Sequence, residues 1–533
     1  MTAYVGVPTL IKLIGRRDRI RLAVWVYVIA AFIAATAYSF RGLYHTVSER
    51  EAFGASIRAN ATLLALDGPL FDSSSTGGLT AWRFGGIAAV IAAMASVFTV
   101  IRHTRAEEES GRLELVGAGV VGRFAPITAA LAVAVGLNIV AGALVAVLMV
   151  VLGTTAAGSI ALGAGIAAAG IAFAGVAAIC AQLTEGSRTA TGAAMSTLGV
   201  AFVLRAAGDS SPGSGRSFLS WLSPIGWSQQ VRPYADERWW VLALGVGFGL
   251  LTASVAYALV GRRDVGAGLW QPRLGPAIAP PSLRTPYALA WRQQRGSLIG
   301  WSVGMALLGL VYGSSAKSVG SLVNTSSQLR DIVDRLGGTH NLINAYFTAT
   351  FGICGLIAAA YAIQATLRAR SEETALRAEL LLSTPVRRFA FAGSHLLFAA
   401  VGSAVLLAAT GVGAGLAYGV AVHDIGGQIA TLIGAALAQW PAAVVPAAIA
   451  AVLFGFVPRA TTAAWGVLAG FVLLGQIGPL LRLGQPVMDI SPFTHTPKLP
   501  GSTVTALPLV VLSAVAIALT GAGLAGFRRR DVG

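Results

Sequence analysis

Long apolar runs recur along the chain, separated by short polar stretches that hold nearly all of its charge. A helix needs about 20 consecutive apolar residues to cross the hydrocarbon core of a bilayer. Runs of that kind fall near 22–40, 84–101, 127–152, 159–183, 189–204 and 239–260. A second set follows near 298–312, 346–367, 391–420, 429–456, 461–481 and 508–527. The pattern predicts an all-α polytopic membrane protein with about 12 transmembrane helices.

The polar stretches show that these helices form two copies of one unit. Arg105, Glu107, Glu108, Arg112, Glu114, Leu115 and Arg123 recur 265 positions later as Arg370, Glu372, Glu373, Arg377, Glu379, Leu380 and Arg388. Arg16, Arg19 and Trp25 return as Arg292, Arg295 and Trp301, and Ser223-Pro224 returns as Ser491-Pro492. Arg262-Arg263-Asp264-Val265-Gly266 comes back letter for letter as Arg529-Arg530-Asp531-Val532-Gly533. Two tandem six-helix repeats related by a pseudo-twofold are therefore expected. Residues 1–266 form the first half and 287–533 the second, joined by a proline-rich cytoplasmic linker over 267–286.

Composition agrees with a membrane setting: 55% of residues are hydrophobic and 11% charged, against roughly a quarter charged in soluble domains. The net charge of +16 is dispersed in clusters at the ends of the runs rather than gathered on one face, which argues against nucleic-acid binding. The larger share of Lys and Arg lies on the side of the N-terminus, so both termini are expected in the cytoplasm of a bacterial cell with the chain in its inner membrane. The first run follows Arg16, Arg17, Arg19 and Arg21 like a signal sequence. Its mid-chain counterpart after Arg292 and Arg295 has no such role, so the first run is expected to stay. Cys180 and Cys354 stand alone in apolar runs, and the six histidines form no ligand pair, so no metal site is expected.

The energy source follows from what the runs lack. All 22 acidic residues fall outside the predicted spans, whereas an ion-coupled transporter normally carries a carboxylate within the membrane. The three lysines, Lys12, Lys317 and Lys498, sit in no phosphate-binding loop motif. The chain itself is then expected to bind no cofactor, with ATP and Mg held by a separate ATP-binding subunit. The repeated charged cassette is the natural docking point. Glu precedes Arg by four residues at Glu108 and Arg112 and again at Glu373 and Arg377, the favourable order for a helical ion pair. Each cassette is expected as one short surface helix, with Glu107 and Glu114, or Glu372 and Glu379, on a shared face before an apolar end. A solvated amphipathic loop explains one such segment; its recurrence in both halves favours docking.

These marks resemble the type-2 ABC exporter permeases, and within them the fused, double-length actinobacterial branch of tetronasin-type polyketide antibiotic exporters. The resemblance covers the whole chain. It rests on the R-x-E-E-x-x-x-R-x-E-L cassette, on Ser223 to Trp227 with Gln230 to Tyr234, and on the R-R-D-V-G that closes each half. It implies ATPase-coupling helices at Arg105, Glu107, Glu108, Arg112 and Glu114, and at Arg370, Glu372, Glu373, Arg377 and Glu379. It also implies two copies of a nucleotide-binding subunit, interfacial elbow helices at 7–19 and 287–295, and a re-entrant external segment at 217–227 with a degraded copy at 491–499. A substrate cavity between the halves is implied, lined by Phe84, Met94, Phe98, Met195, Phe202, Tyr346, Phe347, Phe351, Tyr361, Trp465 and Phe471. Aromatic and Met side chains adapt to varied apolar ligands, although each of these residues also fits ordinary packing or lipid contact.

Smaller features complete the expectations. Pro441 and Pro446 should bend the tenth span. Gly411, Gly415 and Gly419, like Gly245 and Gly249, have the spacing that lets helices approach closely. The external stretches 49–72 and 325–338 have apolar residues at helical spacing and suit a lid or a passive interfacial helix. The reading is the membrane permease subunit of an ATP-driven exporter of lipophilic drugs or polyketide-like antibiotics, a transport subunit and not an enzyme. An ion-coupled multidrug transporter and an ABC exporter of envelope lipids remain alternatives.

Overall fold

The structure is a computed structural model that describes residues 2–58, 61–209, 218–264, 266–270, 275, 277–322, 339–477, 484–502 and 505–531. The stretch 325–338, read as a lid or a passive interfacial helix, lies outside the described residues, as do 271–274 and 276 of the linker. No strand occurs among the described residues. Eleven helices there are long and apolar enough to cross a membrane, and a further apolar helix, Ala463–Gly475, is shorter. The chain is an all-α polytopic membrane protein. It divides into two compact units, Met1–Gly275 and Pro276–Gly533.

The first unit begins with α1 (Val7–Arg17) and α2 (Arg19–Leu43), separated by Asp18. Between α2 and the next long helix come α3 (Val47–Arg58) and α4 (Ala61–Asp67), and α5 (Thr76–Thr80) opens the membrane-length run Thr76–Glu109. The chain continues through α6 (Gly86–His103), α7 (Arg105–Glu109), α8 (Arg112–Gly117), α9 (Ala125–Val151) and α10 (Ala156–Leu183). Then follow α11 (Ser187–Asp209), α12 (Phe218–Trp221), α13 (Pro224–Gln230) and α14 (Val241–Val260).

Helix α10 is the central element of this unit and reads mostly as Ala, Gly and Ile. Lipid tails are as apolar as Leu, so helices in a bilayer associate by close packing rather than by hiding from water. Small residues permit it: a Cβ on Gly163 would lie 2.1 Å from the Gly142 carbonyl oxygen of α9. Inside that packing the Asn138 side-chain NH2 donates to Ser96 Oγ and to the Ala134 carbonyl, each at 2.7 Å.

The second unit holds α15 (Pro286–Leu322), α16 (Thr339–Thr374), α17 (Arg377–Leu382) and α18 (Arg388–Val422). It continues with α19 (Ile425–Leu437), α20 (Trp440–Phe456), α21 (Ala463–Ile477), α22 (Gln485–Met488) and α23 (Ala506–Arg529). The glycine row packs α18 on α19. Cβ atoms on Gly411, Gly415 and Gly419 would meet the Cα atoms of Ile433, Ile429 and Ile425 at 2.5, 2.5 and 2.6 Å. The tenth span is interrupted just ahead of Pro441, which occupies the first turn of α20, where its missing N–H removes no helical bond.

One expectation fails in this unit. Residues 287–295 do not form a separate elbow but open the 37-residue helix α15. The position of Asp18 in the first unit corresponds to Gln294 in the second. Asp competes with the backbone for hydrogen bonds and favours helix ends, while Gln is at ease within a helix. Asp18 breaks the chain between α1 and α2 and binds Arg102 at 2.7 Å and His103 at 2.9 Å. Gln294 continues the helix and binds His395 at 3.0 Å.

Candidate functional site

The charged cassette forms two short turns rather than one surface helix. Ser110 ends α7, and Gly111 at φ +71° turns the chain into α8. In the second unit Leu376 adopts φ +58° between α16 and α17. The breaks cancel the expected ion pairs of Glu108 with Arg112 and of Glu373 with Arg377, because positions four apart no longer share a helical face. Arg112 instead reaches Glu107 at 3.8 Å, and Arg377 binds Glu372 at 2.7 and 3.2 Å. For the same reason Glu107 and Glu114 do not share one helix, nor do Glu372 and Glu379.

Glu108 turns inward, where two arginines hold it. The fully buried Arg105 donates to its carboxylate, and Arg263 donates from both terminal nitrogens at 2.6 and 2.8 Å. Arg105 also donates to the carbonyls of Glu185 at 2.7 Å and Gly266 at 3.1 Å. Arg263 and Gly266 belong to the R-R-D-V-G that closes the first half. The second unit repeats the device: Glu373 accepts from Arg370 at 2.9 Å and from Arg530 at 2.8 Å. Arg530 also lies over the rings of Phe454 and Phe527, 5.0 and 5.2 Å from their centroids. Arg123 and Arg388 complete the two clamps by donating to the carbonyls of Arg263 at 3.1 Å and Arg530 at 2.5 Å. The two most literal sequence echoes are thus the two jaws of one internal clamp.

The clamp leaves a small ridge facing out. Arg112 and Glu114 are exposed, and Leu115 is 79% exposed at the end of α8. On α17 Arg377 and Glu379 are exposed and Leu380 is 73% exposed. Glu107 is tied to Arg17 of α1 at 2.6 Å, and Glu372 is buried between Arg368 and Arg377. Glu109, passed over in the sequence, accepts from Ser187 N at 3.0 Å and fixes the start of α11 to the cassette. Burial raises the carboxyl pKa of Asp18, but its bonds to Arg102 and His103 outweigh this and hold it below the ordinary carboxylate value.

The candidate cavity residues occupy varied surroundings within their own units. Phe347, Phe351 and Tyr361 are buried in the core of the second unit, where Phe347 stacks on Phe351 at 5.7 Å and packs against Tyr418 at 5.4 Å. Tyr346 donates to the Tyr312 carbonyl at 3.2 Å. Phe471 is buried, while Trp465 is 42% exposed. In the first unit Phe84 stacks on Phe32 at 5.0 Å, and Met94 and Met195 pack against one core cluster. Phe98, 39% exposed, stacks on Trp25 at 6.2 Å, and Phe202 lies under the Arg205 guanidinium at 4.6 Å.

The first unit also contains a charged cluster that the apolar pattern concealed. Asp67 at the end of α4 is 1% exposed and pairs with Arg83 at 2.5 Å. Arg83 projects from a π-helical turn, Ala81–Gly85, ahead of α6, a wide turn that recurs at functional positions. Beside it Arg205 and Asp209, each 1% exposed, lie 3.6 Å apart. Arg205 donates to the Leu66 carbonyl at 2.8 Å, and Ser220 donates to Asp209 at 2.6 Å. Burial pushes the Asp67 carboxyl up to about 6 despite the opposing charges of Arg83 and Arg205. Asp209 is the last residue of a membrane-length helix, five positions beyond the apolar run 189–204. The signal available in the sequence was Arg205 followed four residues later by Asp209 at the end of an apolar run.

The fold and this arrangement define a multi-pass α-helical membrane protein in which each half is closed by an arginine–glutamate clamp carrying an exposed helical turn. The model of the family described as multidrug efflux system permease Rv1217c, C-terminal domain, matches residues 283–528. The multidrug efflux system permease protein Rv1217c of Mycobacterium tuberculosis is 44% identical over 533 residues, which is 100% of this chain and 96% of that protein. The chain belongs to the family of that permease.

Proposed function

We propose that this chain is the membrane-spanning permease subunit of an ATP-driven exporter that moves lipophilic drugs, polyketide-like antibiotics among them, out of the cell. Two copies of a separate ATP-binding subunit supply ATP and Mg and dock on the exposed turns α8 and α17, which lie on the cytoplasmic side with both termini. The name of the Mycobacterium tuberculosis relative supports multidrug efflux. The observation that carries the docking claim is the repeated ridge of Arg112, Glu114 and Leu115 and of Arg377, Glu379 and Leu380, exposed above a buried clamp. A push on α8 passes through Glu108 to Arg263 and so to the end of α14; a push on α17 passes through Glu373 to Arg530 and the end of α23. Copurification with the ATP-binding subunit tests this. Glu114→Arg with Glu379→Arg is expected to release that subunit, and full retention by the double variant would sink the docking claim.

The buried Asp67 carboxylate, held by the exposed Arg83, favours a second reading, an ion-coupled multidrug transporter. A carboxyl sealed from solvent and titrating near 6 is a chemically competent proton site. The two readings part on the energy source.

A further inference from the structure

A cleft lies between α1 and the cassette of the first unit, and its counterpart occurs in the second unit at repeat-equivalent positions. The first is an open hollow of about 60 Å³ walled by Leu13, Ile14 and Arg17 of α1, with Glu107, Pro126 and Ala129 opposite. The second is an open hollow of about 190 Å³ walled by Leu289, Ala290 and Gln293, each 276 positions on, with Glu372, Phe391 and Ser394, each 265 positions on. The same hollow has therefore been kept in both copies although its lining has changed.

The first cleft has the chemistry of a site for an acidic amphiphile. Its α1 wall presents Leu13, 53% exposed, and the segment before α1 presents Tyr4, 52% exposed, as an interfacial helix does. At the mouth one carboxylate, Glu107, is shared by two guanidinium groups, Arg17 at 2.6 Å and Arg112 at 3.8 Å. Arg112 is 58% exposed on its side chain, and Lys12 and Arg16 are exposed on the same helix. An apolar wall under an excess of positive charge suits a ligand with an acyl chain and a phosphate. In the second cleft Gln293 stands where Arg17 does, and the charged side chains of the lining are Arg284 and Glu372, whose charges cancel; Arg368 and Arg377, which hold Glu372 at 3.0 and 2.7 Å, do not line it.

We propose that the first cleft binds an anionic phospholipid, its acyl chain along α1 and its phosphate at Arg17 and Arg112, and that the second cleft has lost that headgroup preference. The bound lipid buttresses α8 through Glu107. The proposal stands apart from the energy source, because lipid retention is measured on the chain alone.

Native mass spectrometry of the full chain in a neutral detergent, with phosphatidylglycerol or phosphatidylcholine of the same acyl chains, tests it. One tightly retained phosphatidylglycerol is expected, with phosphatidylcholine held at least tenfold more weakly, on the order of fivefold per contributing arginine. Arg112→Gln should lower phosphatidylglycerol retention about fivefold, and Arg17→Gln with Arg112→Gln should bring it to the phosphatidylcholine level. Gln293→Arg should create a second retained phosphatidylglycerol, which decides the matter even if the double variant does not fold. Equal retention of the two lipids, unchanged retention in Arg112→Gln, or no gain in Gln293→Arg would overturn the proposal.

Discussion

Replacing Glu108 with Gln keeps the shape of the side chain and removes the one negative charge between Arg105 and Arg263. Those arginine side chains are 0% and 7% exposed, so water cannot take over the role of the carboxylate. Breaking a buried pair from one side leaves an uncompensated charge and costs about 3–5 kcal/mol. For a unit of this size that corresponds to roughly 6–20 °C in Tm. Glu373→Gln is the internal control, because its partners Arg370 and Arg530 are 26% and 17% exposed. Solvent relieves part of the loss there, and about 1–3 kcal/mol is expected. The assay is thermal unfolding of the purified chain in detergent, followed by intrinsic fluorescence. The cycle of Glu108→Gln, Arg263→Gln and the double variant should show a coupling of about 1–3 kcal/mol. A Glu108→Gln protein within about 1 kcal/mol of the parent, or no more destabilised than Glu373→Gln, would refute the clamp.

Leu115→Asp with Leu380→Asp should abolish assembly with the ATP-binding subunit while leaving the Tm of the isolated chain unchanged, since both side chains are largely exposed; a drop in Tm would mean they support the fold instead. The folded Asp67 carboxyl titrates near 6 and its ordinary value is 3.8, so between those values the folded state holds a proton that the unfolded chain has released. Stability should therefore rise as pH falls from above 6 toward 4, by up to about 3 kcal/mol. Asp67→Asn should flatten that slope, and an identical slope in the variant would dismiss Asp67 as its source. Gly415→Val should force α18 from α19, because a Cβ there meets the Ile429 Cα at 2.5 Å, at a cost of about 1–3 kcal/mol. Gly466→Ala, where nothing lies within 4 Å, should be neutral in the same thermal assay.

The periodicity of the chain was enough to predict its long spans, because lipid imposes one requirement on each of them: satisfied backbone and an apolar exterior. The duplication was legible because charged residues are scarce and their spacing stands out. The interior of the site was not. Glu108 and Arg263 are 155 positions apart, and a repeated glutamate reads equally well as a docking residue or a buried anchor until the fold brings its partner. The break at Gly111 had a glycine to announce it, whereas Leu376 takes a left-handed conformation that its sequence does not signal. Asp67 and Asp209 looked like ordinary loop acids, and only packing against Arg83, Arg205 and Ser220 reveals their burial.

The energy source is tested most directly by drug movement in vesicles that contain the chain with and without the ATP-binding subunit. The account predicts accumulation of a lipophilic compound in inverted vesicles that requires both proteins and ATP and survives collapse of the proton gradient. Accumulation by the chain alone, driven by a proton gradient and lost in Asp67→Asn, would contradict it.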